Sequence, residues 1–299
     1  METIDQIVLN FNKGNLAGIN TAIALVMFSV ALEIRLSDFK EVFRNPKMIL
    51  TGVVSQFLLL PLLTVILIRL LPLHPSFALG MILVAVCPGG NVSNFFTLLA
   101  KGNAALSICL TSISTLAAGF VIPLAFHFWS RFSPITAALL DEVAVDFWEL
   151  FLLAFLLLGL PLFIGMTLAH FLPKFSRKLS KPLKTLSILF FMALILGAFL
   201  ANWETFIQLF HAIFWLVLLH NGIALLVGYG FAKAMGLAER EQRTISLETG
   251  LQNAGLALVL VFNFFPNLGG MMIVVAWWGI WHMVAGLLLG FFFGRKVTN

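Results

Sequence analysis

Charge is scarce in this chain: of 299 residues, 10% are Asp, Glu, Lys or Arg, against 61% hydrophobic. A folded soluble domain carries far more polar surface, so a water-soluble fold is excluded. The apolar runs are too long for barrel strands and do not alternate polar with apolar residues, which predicts an all-α polytopic membrane protein. Cysteine is nearly absent. Cys87 and Cys109 both lie in apolar runs and read as free buried thiols, with no disulfide or metal framework. Enzyme signatures are missing too: no G-x-S-x-G, no H-E-x-x-H, no phosphate loop and no paired intramembrane aspartates. The opening "METIDQIVLNFNKGN" has neither a basic leader nor a small-residue cleavage site, so no removable signal peptide is expected.

What is present is a series of nine apolar segments, at 15–34, 48–71, 77–100, 103–129, 146–171, 184–201, 206–233, 244–265 and 270–293. Short polar or proline-containing links join them, with no soluble domain between. The basic residues orient the series. Arg35, Lys40, Arg44, Lys47, Lys101, Lys174, Arg177, Lys178, Lys181, Lys184, Lys233, Arg240, Arg243, Arg295 and Lys296 follow the odd-numbered segments, fifteen of the eighteen Lys and Arg. Lys13, Arg69 and Arg131 are all that remain for the other side. The positive-inside rule then predicts a cytoplasmic C-terminus and an N-terminus outside. The net charge of +5 records topology and gives no reason to expect a nucleic-acid partner.

Segments 1–4 and 6–9 share a layout. The second of each set carries interior polar groups, Gln56 in "VVSQFLLLP" and His220 and Asn221 in "LLHNGIALL". The third of each is broken midway, at "CPGGNVSN" and at "ETGLQNAG". One segment separates the sets, so they enter the membrane in opposite directions. Inverted repeats with paired broken helices are a feature of secondary transporters, whose sites lie at the breaks. Unwound backbone in hydrocarbon costs several kcal/mol per unpaired group, so a break persists only beside protein, water or ions. Freed carbonyls can bind a cation, and half-helix N-termini can face an anion.

Glu248 is the most informative side chain, since a carboxylate inside an apolar segment is expensive and usually functional. The alternative is a later start to segment 8, with Glu248 at the interface beside Arg243. Gln252, one turn on, shares its helix face. Ser107 and Thr111 form a second i, i+4 pair, which could instead bond back to its own helix. With Ser93 and Asn94 they complete an all-oxygen set carrying one negative charge, suited to a hard monovalent cation and poor for transition metals or calcium. His282 is open to two readings, substrate contact or packing. Gly286, Gly290 and Gly294 make a small-residue stripe that predicts close helix packing within the protomer.

The stretches "SDF…NPK", "SQFLLLP", "CPGGNVSN…LLAKGNAALSICLTSISTL", "LLHNGIALLVG" and "ETGLQNAGLA" together resemble the bile acid:sodium symporter family over nearly the whole chain. That resemblance implies a core domain with two crossed discontinuous helices, from the segments at 48–129 and 206–293. A panel domain would come from those at 15–34 and 146–201. It implies co-transport of two sodium ions. The first would be held by Ser93, Asn94, Ser107, Thr111 and Glu248. The second would be held by Gln56, Glu248 and Gln252, with backbone carbonyls of Thr249 and Leu251. Asn91, Asn253 and His282 would face the substrate, a small organic anion. It further implies a bacterial inner-membrane location and a monomer or weak homodimer in membrane lipid. Bacterial relatives often have ten helices and a "WHN" motif, where this chain has nine segments and Trp281-His282-Met283. A related carrier with proton coupling, or with none, is the alternative expectation.

Overall fold

Proline opens four of the helices, where its missing N–H and fixed φ are harmless. In the computed structural model, which describes residues 16–32, 45–143, 146–201 and 203–295, these are Pro46, Pro75, Pro134 and Pro173. The described chain forms twelve helices: α1 (Leu16–Ala31), α2 (Pro46–Leu70), α3 (Pro75–Val86), α4 (Asn91–Leu99), α5 (Ala104–Ser130), α6 (Pro134–Val143), α7 (Phe147–Phe171), α8 (Pro173–Ala201), α9 (Trp203–Ala234), α10 (Glu239–Gly250), α11 (Ala254–Phe264) and α12 (Gly269–Arg295). Five of them, α2, α5, α7, most of α9 and α12, are long and apolar enough to cross a membrane.

Inside α2 and α7 the helix widens for one π turn, at Ser55–Leu59 and Phe155–Gly159. Two residues later each carries a proline, Pro61 and Pro161. A proline ring clashes with the carbonyl four residues earlier, and a wider turn gives that carbonyl room. The first of these turns places Gln56 in the interior.

The two expected breaks are real. Segment 3 divides into α3 and α4 around Cys87–Gly90, and segment 8 into α10 and α11 around Leu251–Asn253. Three features differ from the hydropathy reading. The sixth segment begins at Pro173, not 184, and the eighth at Glu239, not 244. The added turns carry Lys174, Arg177, Lys178 and Lys181 in the first and Glu239, Arg240, Glu241, Gln242 and Arg243 in the second, charged and polar residues that end an apolar run without ending a helix. The third difference is α6, which the apolar pattern missed because its ten residues are too short to span; it buries Thr136, Leu139 and Leu140 on one face.

Two helices are buried all round and form the centre. Every residue from Ser76 to Val86 of α3 is buried, as is Ala254 to Phe262 of α11. The outer helices instead expose apolar stripes at i, i+4 spacing: Leu58, Leu62 and Ile66 on α2, Phe120, Leu124 and Phe128 on α5, and Leu152, Leu156 and Leu160 on α7. Such stripes suit a lipid surrounding. The glycine stripe of α12 receives α4: a Cβ at Gly286 would lie 2.8 Å from the Phe96 ring, and one at Gly294 would lie 2.6 Å from the Leu99 carbonyl. At Gly228 of α9 a Cβ would stand 2.7 Å from the Ile245 carbonyl, so α9 and α10 meet backbone to backbone. α1 packs against α7, α8 and α11.

Candidate functional site

The two breaks lie against each other. Gly89 and Gln252 form an isolated antiparallel bridge, and the Asn253 N–H donates to the Pro88 carbonyl at 2.9 Å. Proline and glycine explain why α3 stops where it does. Pro88 cannot donate to the preceding turn, and Gly89 allows a close approach: a Cβ there would lie 2.9 Å from Glu248 Oε2. The break therefore brings backbone to within contact of the one carboxylate in the region.

Glu248 sits two residues before the end of α10 and is buried. Its Oε1 accepts from the Ser93 hydroxyl at 2.7 Å, from the Ser107 hydroxyl and from the Thr111 hydroxyl at 3.2 Å, while Oε2 lies 3.1 Å from the same Thr111 hydroxyl. Ser107 and Thr111 also reach Asn94 Oδ1, at 2.7 and 3.3 Å. The i, i+4 pair on α5 thus points across to α4 and α10 rather than back along its own helix. Ser93, Ser107 and Thr111 are buried, and Asn94 is half-buried. Among the described residues, every partner of Glu248 is a hydroxyl and none is a cation.

The pairing of Glu248 with Arg243 that the interface alternative would allow is not made. Arg243 is buried one turn away and engages Glu239 Oε1 at 3.2 Å and the carbonyls of Ala100 and Phe293 at 3.1 Å each. It leaves Glu248 alone. A carboxylate buried without a countercharge is costly, and with the four oxygen-bearing side chains around it, Ser93, Asn94, Ser107 and Thr111, it makes a donor set for a hard cation. Among the described residues no three of His, Cys, Asp and Glu come together.

A second polar group adjoins the first. The side-chain amides of Gln56 and Gln252 donate to each other, at 2.8 and 3.1 Å. Gln56 also donates to the Cys87 carbonyl at 3.0 Å, and Gln252 to the Thr249 carbonyl at 2.6 Å. The carbonyls of Glu248 and Leu251 approach Gly89 from the same side. Gln56 and Glu248 both line a small cavity of about 10 Å³, room for a single water-sized particle.

Two contributors escaped the sequence reading. Ser55 shares a 2.8 Å hydrogen bond with the Thr249 hydroxyl, and its place beside Gln56 in "SQF" was the available signal. Asn221, recognised as an interior polar residue, donates to the Gly250 carbonyl at 2.7 Å and so satisfies the broken end of α10. Of the expected anion contacts, Asn253 caps α11 by accepting from the Leu256 N–H at 3.0 Å. His282 is buried, with Nδ1 2.8 Å from the Trp278 carbonyl of its own helix. Asn91 opens α4, and its side chain lies outside the described ones.

A bundle of lipid-facing helices around two paired breaks and a buried oxygen site defines a polytopic membrane protein of transporter type. Residues 21–209 match the Sodium Bile acid symporter family. The chain is 32% identical over 277 residues to an uncharacterized sodium-dependent transporter of Bacillus subtilis (strain 168), YocS, an alignment covering 93% of this chain and 83% of that protein. It is 31% identical to the "Probable sodium/metabolite cotransporter BASS1, chloroplastic" of Oryza sativa subsp. japonica, and 29% to the protein of that name from Arabidopsis thaliana. Those matches cover 82% of this chain and 58% and 59% of the plant proteins, so the chain spans somewhat over half of their length. The chain belongs to the sodium bile acid symporter family, whose members are transporters and not enzymes.

Proposed function

We propose that this protein is a sodium-coupled symporter of an organic anion, working by alternating access. The observation that carries the reading is Glu248, a buried carboxylate with hydroxyl partners and no countercharge at the meeting of two helix breaks. One sodium ion would be held by Ser93, Asn94, Ser107, Thr111 and Glu248. A second would use Gln56, Glu248 and Gln252 with the carbonyls of Thr249 and Leu251, the two amides parting from their reciprocal pair to offer their oxygens. The N-terminal ends of α4 and α11 favour an anion beside these ions, with Asn91, Asn253 and His282 as its contacts.

The proposal extends to the membrane arrangement: nine spans in two inverted sets, with the N-terminus outside and the C-terminus cytoplasmic by the placement of lysines and arginines, and a bacterial inner membrane by the resemblance. α1, α7 and α8 would form the panel and the remaining spans the core. Asn20 of α1 and Asn263 of α11 exchange hydrogen bonds at 2.9 and 2.8 Å, a contact that must part when core moves against panel. Two sodium ions with a monovalent anion carry one net charge, to which a 100 mV potential contributes about 2.3 kcal/mol.

The experiment is thermal stability of the detergent-purified protein in sodium against potassium, followed by titration of taurocholate and pantoate at several sodium concentrations. Sodium should stabilise selectively, and should tighten the anion that binds by a coupling of about 1–3 kcal/mol. Equal shifts in the two salts would remove the sodium assignment, and a pH-dependent, sodium-independent affinity would favour proton coupling at Glu248. Gly89→Ala should fold yet lose most of the sodium shift, because the added methyl meets Glu248 Oε2 at 2.9 Å. An unchanged shift in that variant would place the ion elsewhere.

A further inference from the structure

Two cavities stand in line along the seam between α2 and α5. The inner one reaches Gln56 and Glu248 and is bordered by Gly52, Leu110 and Ser114. The outer one, about 60 Å³, lies where the two helices begin, between Asn45 just before α2 and Ile49 on it, and Asn103 just before α5 and Leu106 and Cys109 on it. The lining residues follow one face of each helix: Ile49, Gly52 or Val53, and Gln56 on α2, then Leu106, Leu110 and Ser114 on α5. Both stripes are spaced at three to four residues, and the two cavities are about two turns, roughly 11 Å, apart.

What separates them is a small apolar cluster with Leu110 on its inner side. Leu110 is buried and seated on Gly52, where a Cβ would lie 2.5 Å from its Cδ1. It joins Ile49, Leu106, Cys109 and Ile245 in one apolar cluster, a dry plug with no oxygen to offer an ion. On the outer side polar groups return. Asn103 donates to Glu241 Oε1 at 2.9 Å, which puts a carboxylate at the mouth, and Arg240 is held aside on the Gly102 carbonyl at 3.4 Å. A carboxylate at each end and an apolar plug between is an arrangement that draws a cation and holds it back.

We infer that the α2–α5 seam, whose mouth lies at the helix ends that the proposed topology places on the cytoplasmic side, is the route by which the cation leaves the Glu248 site, with Leu110 on Gly52 as its gate. The inference rests on the sodium reading above and adds to it a path of its own for the ion. The seam lies between two helices of the proposed core, and α5 meets α7 further along, at Gly119 against Gly159, so ion and anion need not share an exit.

Solid-supported-membrane electrophysiology on proteoliposomes tests this with sodium alone. A jump in sodium concentration on the cytoplasmic face, in proteoliposomes of inside-out orientation, should give a charge-displacement transient in the parent protein as sodium binds back through the seam. Leu110→Trp, which fills the passage, should slow that transient about tenfold, while half-saturating sodium and the sodium-induced thermal shift stay as in the parent. A parental rate in a Leu110→Trp protein that keeps its thermal shift would overturn the route. Should that variant lose the shift, the native protein decides. Methanethiosulfonate ethylammonium should label Cys109, located by peptide mass spectrometry, and slow the transient until a reductant removes the adduct. Failure to label Cys109, or a labelled protein with parental kinetics, would overturn the route as well. Absence of both transient and thermal shift in the parent would instead remove the sodium reading, and the route with it.

Discussion

Replacing Glu248 by alanine should abolish the selective stabilisation by sodium and invert the stability order of variant and parent between the two salts. In sodium the parent gains RT ln(1 + [Na]/Kd), about 2.7 kcal/mol at a hundredfold excess over Kd, and the variant gains none. In potassium the balance reverses. The parent then buries a carboxylate among hydroxyls with no countercharge, and removing it relieves a desolvation penalty. The hydroxyls keep other acceptors in the variant: Ser93 the Gly90 carbonyl at 2.7 Å, Ser107 and Thr111 the Asn94 oxygen at 2.7 and 3.3 Å. Glu248→Gln, which conserves shape without charge, should lose the sodium response as fully. Differential scanning fluorimetry in matched sodium and potassium chloride reads both outcomes. A variant that still responds to sodium would show that the carboxylate is not the ion's principal ligand.

Arg243→Ala should be among the most destabilising single changes in the protein, at about 3 kcal/mol, and should do so equally in either salt. The guanidinium is buried, lies 5.3 Å from the centre of the Phe293 ring and donates to Glu239 and to the carbonyls of Ala100 and Phe293. One side chain thereby ties the start of α10 to the turn between α4 and α5 and to the end of α12. Alanine strands two carbonyls and frees Glu239 from its ion pair, although Tyr229 still donates to it at 2.8 Å. Arg243→Lys should recover only part, since an ammonium cannot spread donors over three acceptors. A loss confined to sodium buffer would instead connect Arg243 to the ion site.

The residues that proved legible in advance were those whose chemistry contradicts their surroundings. Pro88, Gly89 and Gly90 inside an apolar run mark a break whatever the fold, because proline removes a donor and glycine weakens a helix. Glu248 stood out because no apolar segment carries a carboxylate idly. Residues whose roles depend on neighbours were harder to read. Nothing local says that Ser55 should bond Thr249 from another helix, or that Asn221 should cap the Gly250 carbonyl. The π turn at Ser55–Leu59 is equally silent in hydropathy, since it changes the phase of a helix and leaves its composition alone.

The sequence by itself determined that this chain lives in a membrane as a series of helices, two of them broken, because apolar length and backbone chemistry act over a few residues at a time. Tertiary structure alone decided that the breaks meet. Gly89 pairs with Gln252 and the Asn253 N–H finds Pro88 across more than 150 residues of chain, since each unwound strand satisfies the backbone groups the other leaves free. That same pairing sets Glu248 from α10 against the hydroxyls of α4 and α5, which composition could name as candidates but could not bring together.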